Sequence, residues 1–83
     1  MNGSTVYTHY HDPGHGWLAV PLADCRAVGF NLSHFCYVVG SMAYLEEDCE
    51  AERFIQAYTA LWGHEPNMTS QYVECRSQLG IPT

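Results

Sequence analysis

The sequence predicts a small α+β domain, in which two short helices pack on one face of an antiparallel sheet of four to five strands. Three observations carry this prediction: two β-rich pairs of segments that each surround a glycine-containing turn, and an amphipathic helix near the middle of the chain. The predicted order is β-β-α-β-β-α, with residues 70–75 as the optional last strand. The 83 residues make one domain, 1–83, in which 64–83 form a poorly defined tail.

The first pair of strands is predicted to be a hairpin. Residues 5–11 are β-branched and aromatic, and alternation places His9 and His11 on the same side of the strand. The following Asp-Pro-Gly-His-Gly favours a turn, because aspartate can cap its own backbone, proline presets φ and glycine accepts positive φ. Residues 17–20 then resume as a short apolar strand.

A short helix and a second hairpin follow. Pro21 suits the first position of a helix, and Gly29 can end it in the left-handed conformation. Residues 34–39 and 42–46 are predicted to pair around a type II′ turn at Gly40 and Ser41. This register exposes an aromatic face with Phe35, Tyr37 and Tyr44. Such a face favours a partner surface or a homodimer, unless the C-terminal tail covers it.

The second helix follows from a stripe of apolar residues with helical spacing. Its members are Ala51, Phe54, Ile55, Tyr58, Leu61 and Trp62. Asp48 is the predicted N-cap, and Gly63 with Pro66 ends the helix. The last residues, 80–83, are expected to be a frayed end.

Composition excludes some partners and favours others. The chain has no lysine, three arginines and a formal charge of −6. Such a balance disfavours direct binding to a phosphate backbone, which needs a basic footprint. It is compatible with a basic protein partner, although the simpler alternative is a charge that only keeps a small protein soluble.

The cysteines and the apolar segments bear on localisation. The four cysteines show no Cys-x-x-Cys pair, and the N-terminal residues lack the pattern of a secretory signal. No apolar run approaches the length of a membrane span. We therefore expect a cytoplasmic protein with reduced cysteines that pack as small apolar side chains, with a disulfide framework as the alternative.

The first cluster of chemical groups is His9, His11, Asp12 and His15. Imidazole and carboxylate ligands suit zinc or another divalent ion, so this loop is the candidate for a metal-binding module or a small metal-dependent hydrolase. The alternative is a polar loop with histidines in solvent. No cofactor is expected on the preferred interpretation.

The second cluster is acidic and holds five of the nine acidic residues. Its members are Glu46, Glu47, Asp48, Glu50 and Glu52. Carboxylates can act as general acid and base only in a shaped, partly dry site, and a solvated corner is the alternative here. They can also imitate phosphates and bind arginine and lysine side chains. The helix-start residues Glu50 and Glu52 further suit the positive end of the helix dipole.

Two blocks of sequence carry a resemblance to known proteins. They are His-Asp-Pro-Gly-His-Gly-Trp-Leu at 11–18, followed by Val20 and Pro21, and Ala-Tyr-Leu-Glu-Glu-Asp-Cys at 43–49. Together they resemble short proteins encoded by bacteriophages, prophages and plasmids, over roughly residues 7–63. The chain looks like an anti-CRISPR protein aimed at a type I system, with I-C as the candidate subtype. The cysteine- and aromatic-rich strand at 35–39 departs from the more polar pattern expected in relatives.

This resemblance implies a binding protein and not an enzyme. The expected partner is the crRNA-guided effector complex, bound at a basic Cas protein surface that otherwise contacts DNA, with no nucleic acid or membrane bound directly. The five acidic residues above are the expected contacts.

Overall fold

The structure is a computed structural model that describes residues 5–32 and 36–82. Its elements, in chain order, confirm the α+β class, the predicted sequence of strands and helices, and the existence of a fifth strand. They are β1 (Val6–His11), β2 (Gly16–Pro21), α1 (Leu22–Ala27), β3 (Tyr37–Val39), β4 (Met42–Glu46), α2 (Glu50–Trp62), β5 (Asn67–Tyr72) and a 3₁₀ helix (Arg76–Leu79).

The five strands form one sheet in the order β3-β4-β2-β1-β5. The pairs among β1 to β4 are antiparallel, but β5 lies parallel to β1, with Val6 opposite Asn67 and His11 opposite Tyr72. The sheet is therefore mixed, and not antiparallel throughout as predicted. The predicted start of β5 at residue 70 was also wrong. All six side chains of β5 are exposed, so no burial pattern in the sequence marks the strand, and backbone pairing with β1 defines it.

The second hairpin has the predicted register. Tyr37 pairs with Tyr44 and Val39 with Met42 across the turn. Gly40 has a φ of 62°, whereas Ser41 has a negative φ, as a type II′ turn requires. Residues 33–35 lie outside the described residues, so the predicted start of β3 and the place of Phe35 do too.

The core lies between α2 and the sheet. Phe54 and Tyr58 are fully buried, and their rings lie 5.4 and 6.0 Å from the ring of Tyr7 on β1. Strands β2 and β4 supply the rest of this face through alternate residues: Leu18, Val20, Ala43 and Leu45. The amphipathic stripe thus packs as predicted, except for Leu61, which is 53% exposed. Leu61 lies at the margin of the stripe, in the last turn of α2.

Helix α1 packs on the same face of the sheet and ends as predicted. Gly29 has a φ of 72°. The N–H of Phe30 donates to the carbonyl of Cys25 at 2.9 Å, and that of Gly29 donates to the carbonyl of Arg26 at 3.1 Å. This is a Schellman motif, which returns the apolar Phe30 to the core. The hydroxyl of Tyr7 donates to Asp24 at 2.8 Å and joins α1 to β1.

The C-terminal segment covers the opposite face of the sheet. The N–H of Val73 donates to the carbonyl of His11 at 2.8 Å, the guanidinium of Arg76 lies 5.8 Å from the centre of the Tyr37 ring, and Ile81 is 2% exposed. The predicted frayed end was therefore wrong for Ile81, because this apolar side chain near the terminus is buried. The alternative that the tail covers the aromatic face is confirmed at Tyr37.

The cysteines play different roles. Cys25 is a buried free thiol, as the sequence predicts. Burial raises the pKa of this thiol to about 11, so Cys25 packs as a neutral group. Cys49 and Cys75 are free and exposed, which differs from the apolar packing predicted for them.

Replacement of Phe54 by alanine tests the core. We expect Phe54→Ala to lower the free energy of unfolding by about 3–5 kcal/mol, because a fully buried ring leaves a cavity among other rings. Leu61→Ala is the matched control in the same helix and should cost less than about 1 kcal/mol, because that side chain is exposed. Urea unfolding measures both. Equal costs for the two variants would contradict this description of the core.

Candidate functional site

The turn between β1 and β2 is held by Asp12. Its Oδ1 accepts hydrogen bonds from the N–H groups of Gly14 at 2.8 Å and His15 at 2.7 Å. The bond from Gly14 is the main cause that lowers the pKa of Asp12 below its ordinary value, and the bond from His15 acts in the same direction. Asp12 therefore has a structural role as a turn cap, which the sequence predicts from the Asp-Pro-Gly order.

A histidine–glutamate pair connects the two sequence blocks. Nε2 of His9, on β1, lies 2.9 Å from Oε2 of Glu47, just beyond the end of β4. Gly16 on β2 makes room for this contact, since a Cβ at Gly16 would overlap the Glu47 carboxylate and lie 2.8 Å from Nε2 of His9. The backbone N–H of Glu47 also donates to the carbonyl of Gly16 at 3.0 Å. The contact thus depends on three neighbouring strands, because β1 carries His9, β4 leads into Glu47, and β2 between them supplies Gly16.

An open cleft lies beside this pair, between the start of α2 and the β1–β5 edge of the sheet. Its volume is about 400 Å³, within the roughly 300–1,000 Å³ typical of small-ligand sites. The cleft combines apolar walls with polar groups. Its lining residues are Leu18, Ala51, Ile55 and Met68, which are apolar, and His9, Glu47, Asp48 and Ser70, which are polar.

The predicted acidic contacts are divided by the fold. Glu47, Asp48 and Glu52 are exposed near the start of α2, and we call these three the acidic patch. Glu46 is half-buried and pairs with Trp17 across the sheet, so it lies on the face opposite α2. Glu50 is only 1% exposed, and its carboxylate accepts from Nη1 of Arg53 at 3.2 Å.

The prediction of Glu50 as an exposed contact was therefore wrong, because the first turn of α2 rotates its side chain inward and the Arg53 charge compensates it there. The predicted N-cap was also wrong. The cap is Cys49, with no hydrogen bond from its side chain, and α2 begins at Glu50. The turn at 47–49 continues one residue beyond Asp48, which leaves that carboxylate exposed.

The four predicted metal ligands do not form one site. His9 and His11 do share a face, with ring centres 6.2 Å apart, but His9 faces Glu47 and His11 contacts Tyr72. His15 stacks on the Trp17 ring at 5.7 Å. Trp17 lies on the other face of the sheet. Across residues 5–32 and 36–82, no group of three or more His, Cys, Asp or Glu side chains is arranged to hold a metal ion.

Sequence reasoning missed the cleft and the His9–Glu47 pair. The pair joins residues that are distant in the chain, and Met68 and Ser70 reach the cleft only through the parallel pairing of β5. One signal was available: a glycine inside a strand, here Gly16, often marks the close approach of another group.

Comparison with known proteins gives no further information on the site. No family model, curated protein or solved structure matches this chain. Among the described residues, neither helix has the length and apolar character needed to cross a membrane.

Gly16→Ala tests the packing around the pair. The added methyl group should separate His9 from Glu47, while the free energy of unfolding changes by less than about 1 kcal/mol, because the flexible Glu47 side chain can move and Ala suits a strand better than Gly. NMR of the His9 imidazole should show shifts like those caused by Glu47→Gln. Gly14→Ala is the control, since its Cβ would meet only Asp12, at 4.0 Å. An unshifted His9 spectrum in Gly16→Ala would exclude the contact.

Asp12→Asn tests the turn cap through pH. Because the pKa of Asp12 is lowered from 3.8 in the folded chain, its ionised form stabilises the fold above that pH. This stabilisation is lost as the pH falls through the lowered pKa. The thermal midpoint of the wild type should therefore decrease more steeply below about pH 4 than that of Asp12→Asn. Glu74→Gln controls for the loss of one negative charge. If the thermal midpoints of wild type and Asp12→Asn decrease in parallel as the pH falls, the assignment of Asp12 as the turn cap is contradicted.

Proposed function

We propose that this protein is a non-enzymatic inhibitor of a bacterial type I CRISPR–Cas effector complex. It acts in the bacterial cytoplasm, occupies a basic Cas protein surface and blocks the binding of target DNA. The observation that carries this proposal is the acidic patch, three carboxylates exposed together at one corner of the fold. The nearest arginine in sequence, Arg53, is already paired with the buried Glu50.

The backbone of the acidic patch is held by the fold. The N–H of Glu47 donates to Gly16 on β2, and the N–H of Cys49 donates to the carbonyl of Glu46 at 3.4 Å. Glu52 lies in the first turn of a 13-residue helix. Carboxylates on an ordered backbone lose less conformational entropy on binding than carboxylates on a mobile tail. This favours a binding surface that imitates an ordered row of phosphates.

Charge selects the class of partner. A surface that holds DNA is lined by arginine and lysine, and a chain of net charge −6 is attracted to it at long range. The two sequence blocks resemble short proteins of bacteriophages and plasmids, and the expectation that this chain is an anti-CRISPR protein narrows the proposed partner to the crRNA-guided effector complex. Binding is favoured over metal-dependent hydrolysis because His9 pairs with Glu47 on the α2 side of the sheet, whereas His15 stacks on Trp17 on the other side.

Two matched charge reversals test the proposal. Asp48→Lys with Glu52→Lys changes two members of the acidic patch, and Glu65→Lys with Glu74→Lys changes two exposed acids outside it. Both pairs alter the net charge equally. We expect the first pair to weaken binding to the purified effector complex by at least about tenfold, because it places like charges against a basic surface. We expect the second to weaken binding far less.

Binding is measured by titration of each variant onto the immobilised effector complex, and thermal unfolding checks that each variant is folded. Equal weakening of binding by the two double variants would show that binding depends only on net charge. Undiminished binding by Asp48→Lys with Glu52→Lys would show that the acidic patch is not part of the interface.

A further inference from the structure

We propose that the cleft beside the His9–Glu47 pair receives an arginine side chain of the protein partner. This inference rests on the proposed function for the identity of the partner, but the cleft itself can be tested alone. It assigns a specific chemistry, recognition of a guanidinium on an aliphatic stem, to a site that shares Glu47 and Asp48 with the acidic patch.

The walls of the cleft suit the stem of an arginine. Leu18 forms the floor from β2, Ile55 lies on the second turn of α2, and Met68 lies on β5. Met68 is 46% exposed, so this apolar wall is open to solvent. Arginine buries its methylene groups along such surfaces while its charged end stays near polar groups. A polar ligand without an aliphatic part would leave these walls uncovered.

The polar groups suit the charged end. Glu47 and Asp48 both line the cleft, and two carboxylates can together accept several of the five N–H groups of a guanidinium. His9 holds the Glu47 carboxylate at 2.9 Å, which limits the freedom that Glu47 would lose on binding. The start of α2 contributes roughly half a positive charge, which two formal negative charges outweigh.

Arginine is favoured over lysine by the arrangement of the two acids. Glu47 and Asp48 are neighbours in the turn before α2, and a planar fork can reach both, whereas an ammonium is a compact point charge. The volume of about 400 Å³ accommodates one long side chain and not a folded peptide segment.

The first experiment uses the isolated protein with N-acetyl-arginine amide, and N-acetyl-citrulline amide as its neutral isostere. We expect saturable NMR shifts at the methyl groups of Ile55 and Met68, with a Kd of the order of 1 mM for arginine and at least about tenfold weaker binding for citrulline. Equal shifts with both compounds, or no shift at these methyl groups, would overturn the proposal.

Two variants then locate the binding. Ser70→Phe fills the cleft without a change of charge, and phenylalanine is well accepted in strands. Glu47→Gln with Asp48→Asn removes the charges without filling the cleft. Each should weaken arginine binding at least about fivefold. If Ser70→Phe fails to fold, the variant Glu47→Gln with Asp48→Asn tests the location of binding alone, and unchanged arginine binding by it overturns the proposal. Glu65→Gln with Glu74→Gln is the control. Arginine binding that persists in a folded Ser70→Phe protein places the ligand elsewhere and overturns the proposal.

The same variants separate this inference from the proposed function. If capped arginine fills the cleft but the protein does not bind the effector complex, the cleft assignment stands and the proposed partner is wrong. If folded Ser70→Phe binds the complex as tightly as wild type does, the acidic patch acts without the cleft and this inference fails.

Discussion

Burial of the Phe54 and Tyr58 rings against Tyr7 is the contact on which the rest of this fold depends. It fixes α2 over the sheet, and the position of α2 then determines where its first turn begins. Because α2 starts beside β1 and the end of β4, the exposed carboxylates, the His9–Glu47 pair and the cleft all lie at one corner. A domain this small has a single main core, so loss of these rings would displace the corner as well as destabilise the protein.

The corner combines two kinds of recognition. The acidic patch supplies long-range attraction toward a basic surface, which is screened by salt over about 8 Å at physiological ionic strength. The cleft offers a short-range contact with apolar walls, which depends on shape and is screened less. Electrostatic attraction mainly raises the rate of association, whereas buried anchor residues mainly slow dissociation. In the proposed inhibitor, Glu47 and Asp48 would serve both kinds of recognition, because these two adjacent residues belong to the acidic patch and also line the cleft.

The sequence predicted those parts of the fold that depend on local chemistry. Gly40 and Ser41 gave the register of the second hairpin, and Gly29 and Gly63 marked the ends of the helices, because each requires a backbone conformation that few residues adopt. It did not predict features set by distant parts of the chain. β5 has no burial pattern and is defined by its pairing with β1. For the candidate site, the sequence located the acidic segment but could not show that Glu50 turns inward.

The measurement that most directly tests the central claim is competition between this protein and target DNA for a purified type I effector complex, repeated across rising salt. If the acidic patch occupies the DNA path, the protein and the DNA will exclude each other, and the affinity of the protein will decrease steadily as salt screens the carboxylates. Simultaneous binding of protein and DNA, or no binding to any type I component at low salt, would contradict the account.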